Sequence, residues 1–324
     1  MAFLTIITGP FHSSQIRETA KNPTILDPLT IESMRQKEYP GSEIKIEQTL
    51  PAGSNYDRYI VSFLSDGLKE YAYFTVPKTK KPVRGFPVII FNHGYQIPEL
   101  YTPEGNYVYY MDALAKEGYI IFKPDYRGNG NSEGAPTSSY FSPDYIIDEM
   151  NAIASIKKYS DANPDKIGIW GHSMGGMITL KTVEVSPDIK AAVIWGGVVG
   201  NYKDIIYNWQ NAVSYKPARK DLYLRNLGLT QLLARYGSPD ANPAFWNAVD
   251  PTENLDLVNT PFQIHVGEAD NEVPPAFSEY FYKKIRNAGK TVELYSYPGS
   301  NHDINQEFDL AMKRTIVFFN RFLK

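Results

Sequence analysis

The sequence predicts an α/β protein: a mostly parallel sheet with helices on both faces, antiparallel strands at its N-terminal edge, and an inserted helical cap. Three observations predict it. From residue 86 onward, short continuous apolar runs alternate with longer helix-compatible stretches, the pattern of strand–helix repeats. Before that, residues 43–76 alternate apolar and polar side chains with period two, as antiparallel strands do. Third, about sixty residues separate the strand ending near Gly197 from the one beginning at Phe262, far more than a plain crossover needs.

The elements follow in order. Residues 1–10 are mildly apolar but lack a basic leading segment and a clear cleavage site, so no signal peptide is expected there. Residues 11–39 are polar, with one short helix near 29–37, and residues 1–40 are expected to form an extension wrapping the surface. Strands at 43–47, 59–64 and 71–76 follow, the last two joined by the turn Ser65-Asp66-Gly67. Further strands fall at 86–91, 119–122, 166–170, 191–195, 262–266 and 292–297. Helices fall at 107–116, 143–159, 174–185, 275–287 and 306–322. The sheet is expected to be of a mostly parallel, eight-stranded type with antiparallel N-terminal strands and right-handed crossovers. The catalytic domain is expected to span 41–200 and 255–324. Residues 201–254 form the cap, with helices at 202–209, 221–236 and 242–248; Leu222, Leu224, Leu227, Leu229, Leu232 and Leu233 suit helical burial.

Composition narrows the function classes. The chain has 324 residues, a net charge of −3 and no basic cluster, so no nucleic-acid surface is expected. No apolar run reaches membrane-spanning length. The absence of cysteine removes disulfides, thiolate metal sites and a cysteine nucleophile. The 5 histidines are too scattered for a ligand cluster, and no metal or cofactor is expected. Composition is compatible with a cytoplasmic or a secreted protein and carries no signal about oligomeric state.

The chemistry centres on Gly171-His172-Ser173-Met174-Gly175. A buried strand precedes it and a small-residue helix follows it, so Ser173 stands at a sharp strand-to-helix turn that the glycines permit. Such an elbow lifts a serine hydroxyl above the sheet and sets a helix N-terminus beside the charge that develops in acyl transfer. A serine nucleophile needs a base and an acid that orients the base, in the chain order Ser, acid, His. Two histidines follow Ser173. His265 lies inside an apolar strand and reads as a core side chain; His302, in the loop between the last strand and the last helix, is the expected base. Among Glu268, Asp270 and Glu272, in the loop after the penultimate strand, Asp270 is the expected acid, the glutamates reading as solvated loop charges. Asp303 points away from its neighbour. The oxyanion donors are expected to be the N–H groups of Met174 and of Tyr95, which follows Asn92-His93-Gly94. His93 is read as a brace for that loop.

These segments, together with Asp125-Tyr126-Arg127-Gly128-Asn129-Gly130-Asn131-Ser132, closely resemble the α/β-hydrolase superfamily from about Tyr71 to the C-terminus. They look most like its branch of prolyl-oligopeptidase-type peptidases, acylaminoacyl-peptidase-like proteins, dienelactone-hydrolase-like proteins and cinnamoyl (feruloyl) esterases. The resemblance implies Ser173, Asp270 and His302 as the triad, in agreement with the residue-level reading. The Asp125–Ser132 turn is read as structural, with Arg127 pairing to a buried carboxylate. Two features depart from the peptidases of that branch. About seventy residues before the catalytic segment cannot build a β-propeller, and nothing identifies an acidic pair for a substrate amino terminus. The expected activity is therefore hydrolysis of a small-molecule carboxylic ester; a small serine peptidase or amidase is the alternative, and a silent binding protein on the same scaffold is the third reading. Gln96 and the cap aromatics Tyr207, Trp209 and Trp246 are the candidate substrate contacts, drawn from a cap that also carries Tyr202, Tyr215, Tyr223, Tyr236 and Phe245.

Overall fold

The computed structural model describes residues 27–137, 139–209 and 219–324. Residues 1–26 of the expected extension, Tyr215, and the side chains of Leu222, Tyr223 and Leu224 lie outside the described residues. In chain order the elements are α1 (Ile31–Gln36), β1 (Lys45–Leu50), β2 (Tyr56–Ser65), β3 (Leu68–Pro77), β4 (Phe86–Asn92), α2 (Val108–Lys116) and β5 (Ile120–Pro124). There follow α3 (Asp144–Ile156), β6 (Ala162–His172), α4 (Met174–Val185) and β7 (Ile189–Trp195). After the cap helices α5 (Arg219–Tyr236) and α6 (Pro243–Val249) come β8 (Phe262–Gly267), α7 (Pro275–Asn287), β9 (Val292–Tyr297) and α8 (Phe308–Leu323).

Among the described residues, nine strands form one sheet in the order β1-β2-β3-β5-β4-β6-β7-β8-β9. β1, β2, β3 and β5 pair antiparallel, and the run from β5 through β9 is parallel. β1 answers to the strand expected at 43–47, and with it the sheet has nine strands where an eight-stranded type was expected.

Period-two alternation divides each central strand between two cores. Ile90, Ile169 and Ile194 pack with α3, α4 and α7 on one face. Phe91, Trp170 and Trp195 pack with α2 and α8 on the other. The parallel strands are therefore apolar throughout, as a sheet covered on both faces requires. α4, buried along its whole length, is the central support of the first face.

The strand order reverses at β4: the chain moves from β4 to β5 on one side and then returns to β6 on the other. In open α/β sheets a crevice opens beyond the carboxyl ends of strands at such a switch point. Asn92 at the end of β4 pairs with Gly171 near the end of β6, so the two loops that leave here are neighbours.

The cap departs from expectation in two places. Residues 202–208 are helical as expected, but within them Asp204–Asn208 is a single π-helical turn. Along the described side chains of α5, Leu229, Leu232 and Leu233 are only half-buried and Leu227 is exposed. The leucine spacing selects a helix, but one face of it is covered only in part.

Candidate active site

Ser173 links β6 to α4 with φ 56° and ψ −120°, a conformation that costs a non-glycine residue about 1–3 kcal/mol. The surroundings hold it there. Its N–H donates to the Trp195 carbonyl at 3.1 Å, and its own carbonyl accepts from Val198 N–H at 3.0 Å and Gly176 N–H at 2.9 Å. The flanking glycines serve close packing: a Cβ on Gly175 would lie 2.1 Å from the Asn92 carbonyl oxygen, and one on Gly171 would lie 2.3 Å from that of Gly175. The motif thus seats the elbow directly against the end of β4.

His302 lies in the loop after β9, and Asp270 in the loop after β8. Those strands are neighbours, and Gly267 pairs with Tyr297 at their ends. Backbone bonds from Glu268 N–H to Tyr297 O (3.0 Å) and Ala269 N–H to Ser300 O (2.9 Å) tie the two loops together. The imidazole Nδ1–H then donates to Asp270 Oδ2 at 2.7 Å, both side chains being buried. Asp270 Oδ1 accepts from the N–H groups of Glu272 and Val273, each at 2.9 Å, so the carboxylate is fixed at both oxygens. With Nδ1 protonated, the neutral ring carries its lone pair on Nε2, which is buried and meets no protein partner. Burial alone lowers the affinity of His302 for a second proton. The bond to Asp270 and the charges of Asp270, Glu272 and Asp303 outweigh burial and hold the pKa above its ordinary value.

The ring sits on Gly196, where a Cβ would come within 3.1 Å of Nδ1 and 3.2 Å of Cε1. Gly196 directly follows Trp195, the anchor of the Ser173 N–H. One backbone corner therefore carries both the elbow and the imidazole. Of the competing carboxylates, Glu268 instead accepts from Ser296 Oγ at 2.6 Å.

The loop after β4 brings the other expected residues alongside. His93 is fully buried and lies between the rings of Tyr101 and Tyr126. Burial, with Lys123 nearby, pushes its pKa down to about 3, so it is neutral. Its Nδ1 hydrogen-bonds the Gly94 carbonyl at 2.8 Å. A trans peptide directs its C=O and the next N–H to opposite sides, so this bond also sets the direction of Tyr95 N–H. Met174 opens α4 immediately after Ser173. Gln96 is half-buried, and its Nε2 meets no protein partner.

The cap candidates separate. Trp209 Nε1–H donates to the Glu272 carbonyl at 2.9 Å, in the loop that carries Asp270, and its ring packs near Tyr140 and Phe277. Tyr207 is exposed. Trp246 is buried, packs on Tyr202 and Phe245, and donates to the Gly237 carbonyl at 3.0 Å. It also lines a cleft of about 420 Å³ whose described walls, among them Tyr202, Lys203, Asp250 and Tyr280, include neither Ser173 nor His302. Trp246 is therefore packed within residues 201–254, and the cleft it lines is not formed by Ser173 or His302.

The structural readings of two other residues hold. His265 is buried between Tyr297 Oη (2.7 Å) and Gln263 Oε1 (2.8 Å). Arg127 pairs with the buried Asp148, its Nε lying 2.9 Å from Oδ1. Sequence reasoning assigned no role to Tyr107 or His172, yet the Tyr107 hydroxyl lies 3.0 Å from Gly94 N and 2.8 Å from His172 Nδ1. Tyr107 precedes an ordinary helix, and its partners are distant in sequence, so no local pattern marks it.

Residues 106–324 match the model of the prolyl oligopeptidase family. Among curated proteins, the uncharacterized peptidase YtmA of Bacillus subtilis (strain 168) is 24% identical over 258 residues, covering 79% of this chain and 90% of that protein. The acylamino-acid-releasing enzyme of Arabidopsis thaliana is 22% identical over 289 residues, 82% of this chain but 35% of that protein. Among solved structures, acetyl xylan esterase 1 from Thermoanaerobacterium sp. JW/SL YS485 superposes with a TM-score of 0.65 at 17% identity, covering 89% of this chain and 90% of that one. The acylaminoacyl peptidase of Pyrococcus horikoshii gives 0.65 at 22% identity, covering 84% of this chain and 42% of that one.

Proposed function

The chain belongs to the prolyl oligopeptidase family of serine hydrolases, and from that premise we propose that it hydrolyses carboxylic esters through Ser173, His302 and Asp270. The observation that carries this reading is the buried 2.7 Å bond from His302 Nδ1 to Asp270 Oδ2, which leaves Nε2 bare on the corner that anchors Ser173. In the first step Ser173 Oγ gives its proton to Nε2 and attacks the ester carbonyl. The N–H groups of Tyr95 and Met174 receive the oxyanion. Asp270 stabilises the imidazolium, which passes its proton to the leaving alcohol as the C–O bond breaks. In the second step His302 takes a proton from water as the water oxygen attacks the acyl-enzyme carbonyl, and it returns that proton to Ser173 Oγ as the C–Oγ bond breaks and the acid is released.

An ester is favoured as substrate by the likeness to an acetyl xylan esterase over about nine tenths of both chains. Hydroxycinnamate (feruloyl) esters belong on the same panel. Residues 201–254 would act as the cap over the site, with Trp209, Tyr207 and Gln96 as substrate contacts. A small serine peptidase or amidase is the second reading, favoured by the relatives named as peptidases. Labelling with a fluorophosphonate and mass-spectrometric mapping tests the nucleophile: modification of Ser173, lost in Ser173→Ala together with several orders of magnitude in turnover, is expected. Rates on esters of graded acyl length against aminoacyl anilides decide between esterase and peptidase.

A further inference from the structure

We propose that Tyr107 and His172 are positioning residues, forming a hydrogen-bonded strut that sets the oxyanion loop relative to the base loop across the nucleophile. The inference rests on the reading of Ser173 and His302 given above. Gly94 N–H donates to the Tyr107 hydroxyl at 3.0 Å, the hydroxyl meets His172 Nδ1 at 2.8 Å, and His172 Nε2 meets the His302 carbonyl at 3.2 Å.

The proton positions follow from the partners. A carbonyl only accepts, so His172 Nε2 must carry the hydrogen. His172 is buried, and burial followed by the neighbouring His302 holds its pKa well below the ordinary value, so the ring is neutral and Nδ1 is bare. The hydroxyl of Tyr107 therefore accepts from Gly94 and donates to His172, and each bond runs in one direction only. Asp303 Oδ1, 3.5 Å from Nε2, lies on the same side as the His302 carbonyl and favours the same tautomer.

Each end of the strut grips a different part of the site. Gly94 N–H fixes the His93–Gly94 peptide at the head of the loop that bears Tyr95. The His302 carbonyl fixes the backbone of the base. Between them stands the residue preceding the nucleophile. A Cβ on Gly94 would lie 2.7 Å from Tyr107 Oη and 3.0 Å from Ser173 Cβ, so the strut passes beside the elbow. The backbone that delivers Tyr107 is strained: Asn106 and Tyr107 adopt φ of 42° and 55°, both left-handed and neither glycine. Strain of this kind persists where surrounding contacts over-determine a position, and here those contacts include the two bonds of the hydroxyl and the packing of the ring near Phe91, Tyr110 and Trp170.

The test has three arms. Imidazole ¹⁵N chemical shifts of the wild-type protein should give His172 as the Nε2–H tautomer with Nδ1 bare; an Nδ1–H tautomer or an imidazolium overturns the strut without any variant. Tyr107→Phe should lower kcat on p-nitrophenyl acetate about ten- to a hundredfold with KM within about twofold, because donors misplaced by a fraction of an ångström cost the transition state more than the ground state. A kcat within twofold of wild type overturns it, as does a loss confined to KM. His172→Gln can keep a donor toward the His302 carbonyl but removes the acceptor for Tyr107, so its loss and that of Tyr107→Phe should be strongly non-additive; additive losses overturn the strut. Ser173→Ala is the control. If it retains turnover, the nucleophile reading fails and the tautomer result still stands, whereas an inactive Ser173→Ala beside a normal Tyr107→Phe removes the strut alone.

Discussion

As the proposed base, His302 can accept the proton of Ser173 only when its imidazole is neutral, so its surroundings would set the pH dependence of the proposed reaction. Its pKa is held above the ordinary 6.5 by Asp270 and the nearby acids against the opposing effect of burial. The charged, inactive form therefore persists to higher pH than in a free histidine. Turnover is expected to rise with pH, with its midpoint above 6.5 and a plateau on the alkaline side; a kcat/KM profile of the wild type checks it, and a midpoint below 6.5 contradicts the assignment. Asp270→Asn should cost about a thousandfold or more in kcat, because an amide can present a donor to Nδ1 and favour the wrong tautomer. Glu268→Gln and Glu272→Gln should each change kcat less than about tenfold. Steady-state kinetics of the three variants make the comparison, and equal losses would transfer the acid role away from Asp270. The sequence points to Ser173 and His302 because each stands at a loop whose place in the chain order is fixed by the strands around it. Asp270 was separable from Glu268 on position, and the bond from Ser296 to Glu268 gives the physical reason. Tyr107 was not legible, since the order of the residues says nothing about a hydroxyl reaching under a loop thirteen residues earlier.

At the scale of the element, the elbow depends on packing as much as on the freedom of glycine. A methyl group at position 175 would meet the Asn92 carbonyl at 2.1 Å, and that oxygen belongs to the end of β4, which cannot yield without moving the oxyanion loop. Gly175→Ala should therefore destabilise the protein by about 2 kcal/mol or more and lower kcat even where the variant is folded, readable from urea unfolding and turnover on the same preparation. An unchanged midpoint of unfolding would mean that β4 and α4 are less tightly joined than the structure indicates. The parallel strands were legible because sheets buried on both faces write continuous apolar runs, and β6 and β8 are such runs. Their ends were less so: β6 begins at Ala162, several residues before its apolar stretch. The π-helical turn at Asp204–Asn208 could not be read, because the pattern that suggests a helix there does not distinguish hydrogen bonds to the fourth from those to the fifth residue.

For the whole molecule, the proposed function divides between the sheet-top site and residues 201–254, proposed as its cap. The sheet places Ser173, Asp270 and His302 beyond the ends of β6, β8 and β9, so the geometry of the proposed reaction would belong to the scaffold. Selection among acyl or alcohol groups needs walls, and residues 201–254 are the long insertion that could supply them. The length of that stretch is the signal by which the sequence suggests an insertion. The aromatics within it were not separable, since pocket and core draw on the same residue types. Their surroundings now separate them. Trp246 packs inside the cap, Tyr207 faces solvent, and Trp209 alone of the three bonds to the loop that carries Asp270. Trp209→Ala should then change the ratio of kcat/KM between short and bulky esters by about tenfold, the scale on which one apolar wall discriminates. Trp246→Ala should instead lower thermal stability by about 3 kcal/mol or more while leaving that ratio near its parent value in the folded fraction. Competition between p-nitrophenyl acetate and a hydroxycinnamate ester in one vessel measures the ratio directly. Should Trp209→Ala retain it, preference would have to come from the oxyanion loop, where Gln96 Nε2 is the buried donor still without a protein partner.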